Sequence, residues 1–257
     1  MLQYQTIPVT PFQQNCSLIW DDQTQQAAVI DPGGDLDLIL SEVQQRGLKL
    51  EQIWLTHAHI DHAGGTAVLA RNLNLPIVGP HPGDQFWIDR LSDQGRMFQF
   101  PDAEVFTPTR WLADGDTVTL GSHTLNVRHC PGHTPGHVVF HSPEIKRAFV
   151  GDVLFAGSIG RTDFPQGDHD TLIASITQRQ ADFVTALFRA LLGNSSLNLG
   201  VAALTDLAGT SVNLLALQAA AGAATIEELL DRQVPINELF RWLATASHSV
   251  HTRGTSS

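Results

Sequence analysis

The chain has 257 residues, long enough to bury a sizeable core and, by length alone, one or two domains. Fifteen Lys and Arg stand against 26 Asp and Glu, a formal charge of −11 with no basic run, which excludes a generic nucleic-acid or anionic-membrane surface. Hydrophobic residues at 42% and charged residues at 16% describe a globular chain rather than a disordered one, and the unusual feature is 12 histidines.

The opening MLQYQTIPVTPFQQNC carries neither a basic n-region nor an apolar run, and the default expectation is a cytoplasmic protein. Cys16 and Cys130 have no CxxC spacing and are expected to be free thiols that behave as small hydrophobes. Across residues 1–165 the runs SLIW, QAAVIDPGG, EQIWLTH, TVTLG, HTLNVRHCPGH, GHVVFHS and RAFVGDV read as strands punctuated by Pro and Gly. Leu36, Ile39, Leu40 and Val43 share one face of a helix predicted over residues 35–46, with Gly47 placed to stop it. A second helix is predicted over 63–74, before Pro76. Strands with interspersed helices indicate an α/β or α+β sheet domain whose functional groups lie on loops at strand ends.

After Asp168 the residues Leu172, Ile173, Ile176, Phe183, Val184, Leu187, Phe188, Leu191 and Leu192 recur at three-to-four spacing, which predicts one amphipathic helix stopped near Gly193 and Asn194. Of 13 prolines only Pro235 lies beyond residue 180. The shift in composition divides the chain into a domain of residues 1–180 and an Ala- and Leu-rich helical tail of residues 181–257. Between Ala190 and Ile226 the single charge is Asp206. The run is weakly hydrophobic, and Asp at a span centre costs about 2.5–3.5 kcal/mol, so a buried hairpin or homo-oligomer contact is expected there rather than a membrane span. Leu229, Leu230, Leu239, Phe240 and Leu243 mark a last helix over 226–246, with Pro235 as its break.

Thr56-His57-Ala58-His59-Ile60-Asp61-His62 follows the apolar strand QIWL directly. Alternate residues of a strand face opposite sides, so these groups converge only from a loop at a strand end. His57 and His59 share parity and suit one metal; Asp61 and His62, at the turn into the next helix, suit a second. Cys130-Pro131-Gly132-His133-Thr134 puts another histidine just past a strand, and Val150-Gly151-Asp152 puts a carboxylate just past another. Three strand-end loops offering His and Asp are what a metal site assembled by a sheet requires, and a chance His-rich turn accounts for only one of them.

THAHIDH, PGHTPGH and FVGDVLF, in this order and spacing, resemble the metallo-β-lactamase fold superfamily. With GSIGRTDFPQGDHDTLI, the chain over about residues 2–178 is most similar to its small glyoxalase II-like branch of thioester hydrolases. The resemblance implies an αββα sandwich with metals at one edge, followed here by the helical segment. It implies His57, His59 and His133 as ligands of a first metal, Asp61 and His62 as ligands of a second, and Asp152 as the bridge. It gives His137 a structural hydrogen bond and leaves His169 unused as a ligand; His81, His123, His129 and His141 read as surface or core histidines. The family pattern continues to a strand and a Pro-Gly-His-Gly loop whose histidine completes the second site. Nothing like it follows Thr177, and His248 and His251 stand in no matching context. Zinc is therefore expected with one ion firmly bound and the second weakened, and iron is the alternative metal.

The implied activity is hydrolysis of a small-molecule thioester of the S-lactoylglutathione type, with metal-bound hydroxide as nucleophile and Asp61 as its orienting or proton-accepting residue. The residues by themselves support metal-assisted hydrolysis. Family members with a glutathione pocket build it from basic and tyrosine side chains of a C-terminal helical domain. Here Tyr4 is the single tyrosine, and the tail holds only Arg189, Arg232, Arg241 and Arg253. Two other readings stay open. His57, His133 and Asp152 form a two-His-one-carboxylate set suited to mononuclear iron and oxygen chemistry, as in persulfide dioxygenases, which the sequence resembles around GRTDF. The apolar faces of residues 170–192 and 226–246 suit a catalytically impaired domain kept as an interaction module.

Overall fold

A strand buried on both faces reads as a nearly continuous apolar run, and QAAVI and QIW are such runs. The computed structural model describes residues 1–155 and 158–177. Residues 1–153 and 160–175 form one compact unit. Its first sheet holds β1 (Leu2–Val9), β2 (Gln14–Asp21), β3 (Gln26–Ile30), β4 (Lys49–Trp54) and β5 (Ile77–Val78) in chain order. β1, β2 and β3 pair antiparallel through short turns. β3, β4 and β5 run parallel, because the helices α1 (Leu36–Gln45), α2 (Ile60–Ala63) and α3 (Thr66–Leu73) carry the chain back between them. After α4 (Gln85–Ile88) and α5 (Leu91–Phe98) comes an antiparallel meander of β6 (Thr117–Leu120), β7 (His123–His129), β8 (Val138–Ser142) and β9 (Arg147–Phe149).

The first sheet separates two cores. Ala27, Val29 and Ile53 pack on one side with Ile39 and Val43 of α1 and Leu69 of α3. Ala28, Ile30 and Trp54 pack on the other with Leu125, Val127, Val138 and Phe140 of the second sheet. In β6, exposed Thr117 and Thr119 alternate with buried Val118 and Leu120, which face the shared core. Trp54 and Phe140 meet across the sheets with ring centroids 5.5 Å apart. The expected layered sandwich is thus present, with the loops that follow β4, β7 and β9 as the sources of the proposed ligands.

The predicted strands appear at their places, and Gly47, at φ 65°, closes α1 as expected. Three differences are informative. The helix predicted over 63–74 begins at Ile60 and is interrupted, because Gly65 N–H donates to the Pro32 carbonyl at 3.0 Å instead of continuing α2. β1 was not foreseen: its apolar residues divide between the cores, Leu2 on one side and Ile7 and Val9 on the other, and Pro8 is tolerated because β1 is an edge strand. Ile173, assigned to the apolar stripe after Asp168, is 42% exposed, while Leu172 is fully buried and Ser175 Oγ donates to the Pro131 carbonyl at 2.7 Å.

Residues 169–177 are helical. The rest of the helix expected over 168–192, the boundary near residue 180 and the tail of residues 181–257 lie outside the described residues, as do the tail arginines, His248 and His251. Residues 154–159 fall in a second unit, where β10 (Leu154–Phe155) pairs antiparallel with β11 (Ser158–Ile159). No described helix is long and apolar enough to cross a membrane. Cys16 and Cys130 are buried and outside any disulfide, as expected, and burial, followed by the charge of Asp31, pushes the Cys16 thiol well up.

Phe140→Ala is expected to lower stability by about 3–5 kcal/mol, read by urea unfolding, because it empties the contact between the sheets. Ile173→Ala, at an exposed position, is expected to stay within about 0.5 kcal/mol of the parent.

Candidate metal centre

The strand β4 ends at Trp54, and the chain turns out of the sheet before α2 starts, with His59 as its N-cap residue. This releases His57 and His59 from strand alternation. His133 enters from the β7–β8 loop and Asp152 from the loop after β9, while Asp61 and His62 ride on the first turn of α2. All six expected site residues converge. One ligand atom each from His57, His59 and His133 lie within 4.8 Å of one another. His62 Nε2 is 3.1 Å from Asp152 Oδ1 and 3.7 Å from Asp61 Oδ2, and Asp152 Oδ2 is 3.4 Å from His133 Nε2. Asp152 thus stands between the two groups of side chains.

The far nitrogens of the rings are fixed by the protein. Thr56 Oγ1 donates to Asp31 Oδ2 at 2.6 Å, so toward His57 Nδ1, 3.0 Å away, it acts as acceptor. His62 Nδ1 meets Asp31 Oδ2 at 2.9 Å, and His133 Nδ1 meets the Arg161 carbonyl at 2.7 Å. Each ring therefore carries its proton on Nδ1 and presents Nε2 inward, the arrangement that orients metal-ligating histidines. Nε2 of His57, His59 and His133 is buried with no hydrogen-bond partner. Three such lone pairs, close together and short of donors, fit a divalent cation.

Electrostatics points the same way. Burial, and then the neighbouring rings, push His57 and His59 well below the ordinary histidine range, and burial lowers His133, so these rings are neutral donors of a lone pair. Burial also opposes charge on His62, yet Asp152 and Asp61, with hydrogen bonds to Asp152 and Asp31, raise it well above that range. Burial resists the charge of Asp152, but His62 outweighs it and the carboxyl lies far below its usual range. Burial raises the carboxyl of Asp61. The carboxylates thus favour a positive charge between them, as a proton or as a metal ion.

Other described histidines have partners of their own. His137 Nε2 accepts from the Asp152 backbone N–H at 3.1 Å while its ring stacks on His57, centroids 4.6 Å apart. His123 pairs with Glu144, His81 and His129 stack on each other, and His169 is exposed at the start of its helix. Tyr4 packs edge-on against Phe149 and beneath Arg147.

Asp31 is a residue that sequence reasoning passed over. It is 2% exposed, and its two oxygens take the Thr56 N–H at 2.7 Å, the Thr56 hydroxyl and the His62 ring. The signal was the Asp-Pro-Gly-Gly at the end of QAAVIDPGG. A Cβ on Gly33 would lie 1.5 Å from the Asp61 carbonyl oxygen, so only glycine lets this loop run beneath α2.

A two-sheet sandwich with neutral histidines and carboxylates gathered at one edge defines a metal-dependent hydrolase. The chain belongs to the metallo-beta-lactamase superfamily, whose model matches residues 9–189. It is 46% identical over 171 residues to the hydroxyacylglutathione hydrolase GloC of Haemophilus influenzae, covering 66% of this chain and 80% of that one. Among solved structures it resembles the BLEG-1 B3 metallo-beta-lactamase (TM-score 0.64, 32% identity, 70% of this chain and 87% of that one). It also resembles a protein crystallised in a di-iron-bound form (TM-score 0.62, 36% identity, 69% and 85%). The similarity to the hydroxyacylglutathione hydrolase places the chain in the glyoxalase II-like branch of the superfamily.

Asp31→Ala strands three buried donors at once. A loss of about 3 kcal/mol or more in urea unfolding of the metal-free protein is expected, with weaker metal binding measured by chelator competition.

Proposed function

We propose that the protein hydrolyses a glutathione-type thioester, with His57, His59, His133 and Asp152 holding a first divalent ion and Asp61, His62 and Asp152 a second, weaker one. The observation that carries the reading is that His57, His59 and His133 each bring a ligand atom within 4.8 Å of the others' and each has a buried Nε2 with no hydrogen-bond partner, while Nδ1 is committed elsewhere at His57 and His133. A divalent ion there supplies a Lewis acid for the substrate carbonyl and a water acidic enough to ionise near neutral pH.

The chain's own residues do the rest. Asp61, which burial raises above the ordinary carboxylate range, is placed to orient the attacking water and to accept its proton. Asp152, with one oxygen toward His62 and the other toward His133, would contribute to holding both ions. Trp87 and Phe164 stand against His59 with ring centroids at 4.4 and 5.0 Å, a dry wall that strengthens the electrostatics inside. A thiolate leaves without prior protonation, so one carboxylate for the water suffices. The glutathione portion of the substrate is supported by the name of the Haemophilus relative. Zinc is the expected metal, as is typical of the superfamily. Buried cysteines outside any disulfide, Cys16 and Cys130, suit a reducing, cytoplasmic setting.

Purified protein is expected to contain zinc at about one ion per chain, since the second group of ligands is the smaller, and to cleave S-lactoylglutathione without oxygen. His57→Ala and Asp61→Asn should each lower kcat/KM by about 10²-fold or more, read by thiol release. Iron, with oxygen consumed on glutathione persulfide and no anaerobic thiol release, would replace this reading by the dioxygenase one.

A further inference from the structure

The three histidines of the first group come from two loops 76 residues apart in sequence, His57 and His59 after β4 and His133 after β7. A metal centre needs these loops held to within fractions of an ångström, and loops alone do not supply that. A short 3₁₀ turn, Pro82–Asp84, lies against both of them. Asp84 is fully buried and lies outside the expected ligand set. Its Oδ2 accepts from the N–H of Ala58, the residue between His57 and His59, at 2.8 Å. The same oxygen accepts from the hydroxyl of Thr134, the residue after His133, at 3.0 Å. Its Oδ1 accepts from the Gly136 N–H at 2.6 Å.

We propose that Asp84 is a positioning residue of the metal centre: one buried carboxylate clamps the His57–His59 peptide to the His133 loop and sets the spacing of the three Nε2 atoms. This rests on the metal site proposed above.

The surroundings are built for the clamp. His81 N–H donates to the Gly136 carbonyl at 3.1 Å, so the turn and the loop are sewn together in both directions. A Cβ on Gly136 would come within 2.4 Å of Asp84 N and 2.6 Å of Asp84 Oδ1, so glycine is required for the turn to approach. The hydrogen-bond partners of the carboxylate are all neutral donors, and burial, against the pull of these three bonds, pushes its pKa up to about 6. A buried carboxyl held by no cation is an expensive choice for packing alone. What it does that an apolar residue cannot is accept from two loops through a single oxygen. An asparagine keeps one accepting oxygen, but its amide nitrogen must face a donor where the other oxygen stood, so at least one of the three bonds is lost and replaced by a donor–donor clash.

Zinc affinity measured by competition with a chromophoric chelator, on the full chain, tests the clamp, with the unfolding midpoint of each metal-free variant as the companion measurement. Asp84→Asn is expected to weaken zinc binding at least tenfold. Thr134→Val, which leaves both backbone donors in place, should weaken it about threefold in a protein that still folds, with a metal-free midpoint lowered only by the loss of one hydrogen bond. A residue that served stability only would lower the midpoint and leave the affinity of the folded protein as it was, and that result overturns the proposal. If Asp84→Asn does not fold, Thr134→Val decides: wild-type affinity in it overturns the clamp. His57→Ala separates the two claims. Wild-type affinity in His57→Ala removes the metal site itself, whereas lost affinity there with wild-type affinity in Asp84→Asn and Thr134→Val removes the clamp alone.

Discussion

Thr56 is hydrogen-bonded at every polar atom it has, and the centre depends on that residue. Its N–H and hydroxyl both go to Asp31 at the end of β3, and its carbonyl accepts from Val138 N–H at the start of β8, at 2.8 Å. One residue therefore joins the parallel part of the first sheet to the second sheet, at the edge where the histidines lie. Because its hydroxyl proton is committed to Asp31, the same oxygen must accept from His57, which sets the tautomer of that ring. Orientation of a prospective ligand and attachment of the two sheets are thus one interaction, and neither can shift without the other.

Around this point the site follows a single rule: backbone and carboxylate acceptors take the outer ring nitrogens, and the inner ones face each other. Asp31 serves His62 directly and His57 through Thr56, and the Arg161 carbonyl serves His133. Packing neutral imidazoles this closely is stable only if none carries a proton too many, and burial enforces that on His57, His59 and His133. His62 is the exception because three carboxylates, Asp152, Asp61 and Asp31, flank it. The division into a neutral group of three and a charged group around Asp152 is the physical basis for expecting two unequal metal sites.

Much of this was legible in the chain. THAHIDH after an apolar run, a histidine in PGHTPGH and an aspartate in VGDV marked the six residues, and strand-length apolar runs marked the sheets. The parts that were not legible share a cause. β1 hides because its apolar residues feed two cores, so no single period appears in LQYQTIPV. The break between α2 and α3 hides because its reason, the Pro32 carbonyl, lies 33 positions earlier. Asp31 and Asp84 hide because a buried carboxylate has no sequence mark apart from a turn: Asp-Pro-Gly-Gly and Pro-Gly-Asp read as loop punctuation.

The sequence by itself pointed to the kind of chemistry, since four imidazoles and two carboxylates gathered on three strand-end loops suit a metal centre, and it pointed to the two-sheet architecture through its apolar runs. Only the tertiary structure decided which nitrogen of each ring faces inward and which acidic residues hold the loops. Those depend on partners such as Asp31 with Thr56, or Asp84 with Ala58 and Thr134, that are 25 to 50 residues apart and meet through hydrogen bonds fixed by the packing of the sheets.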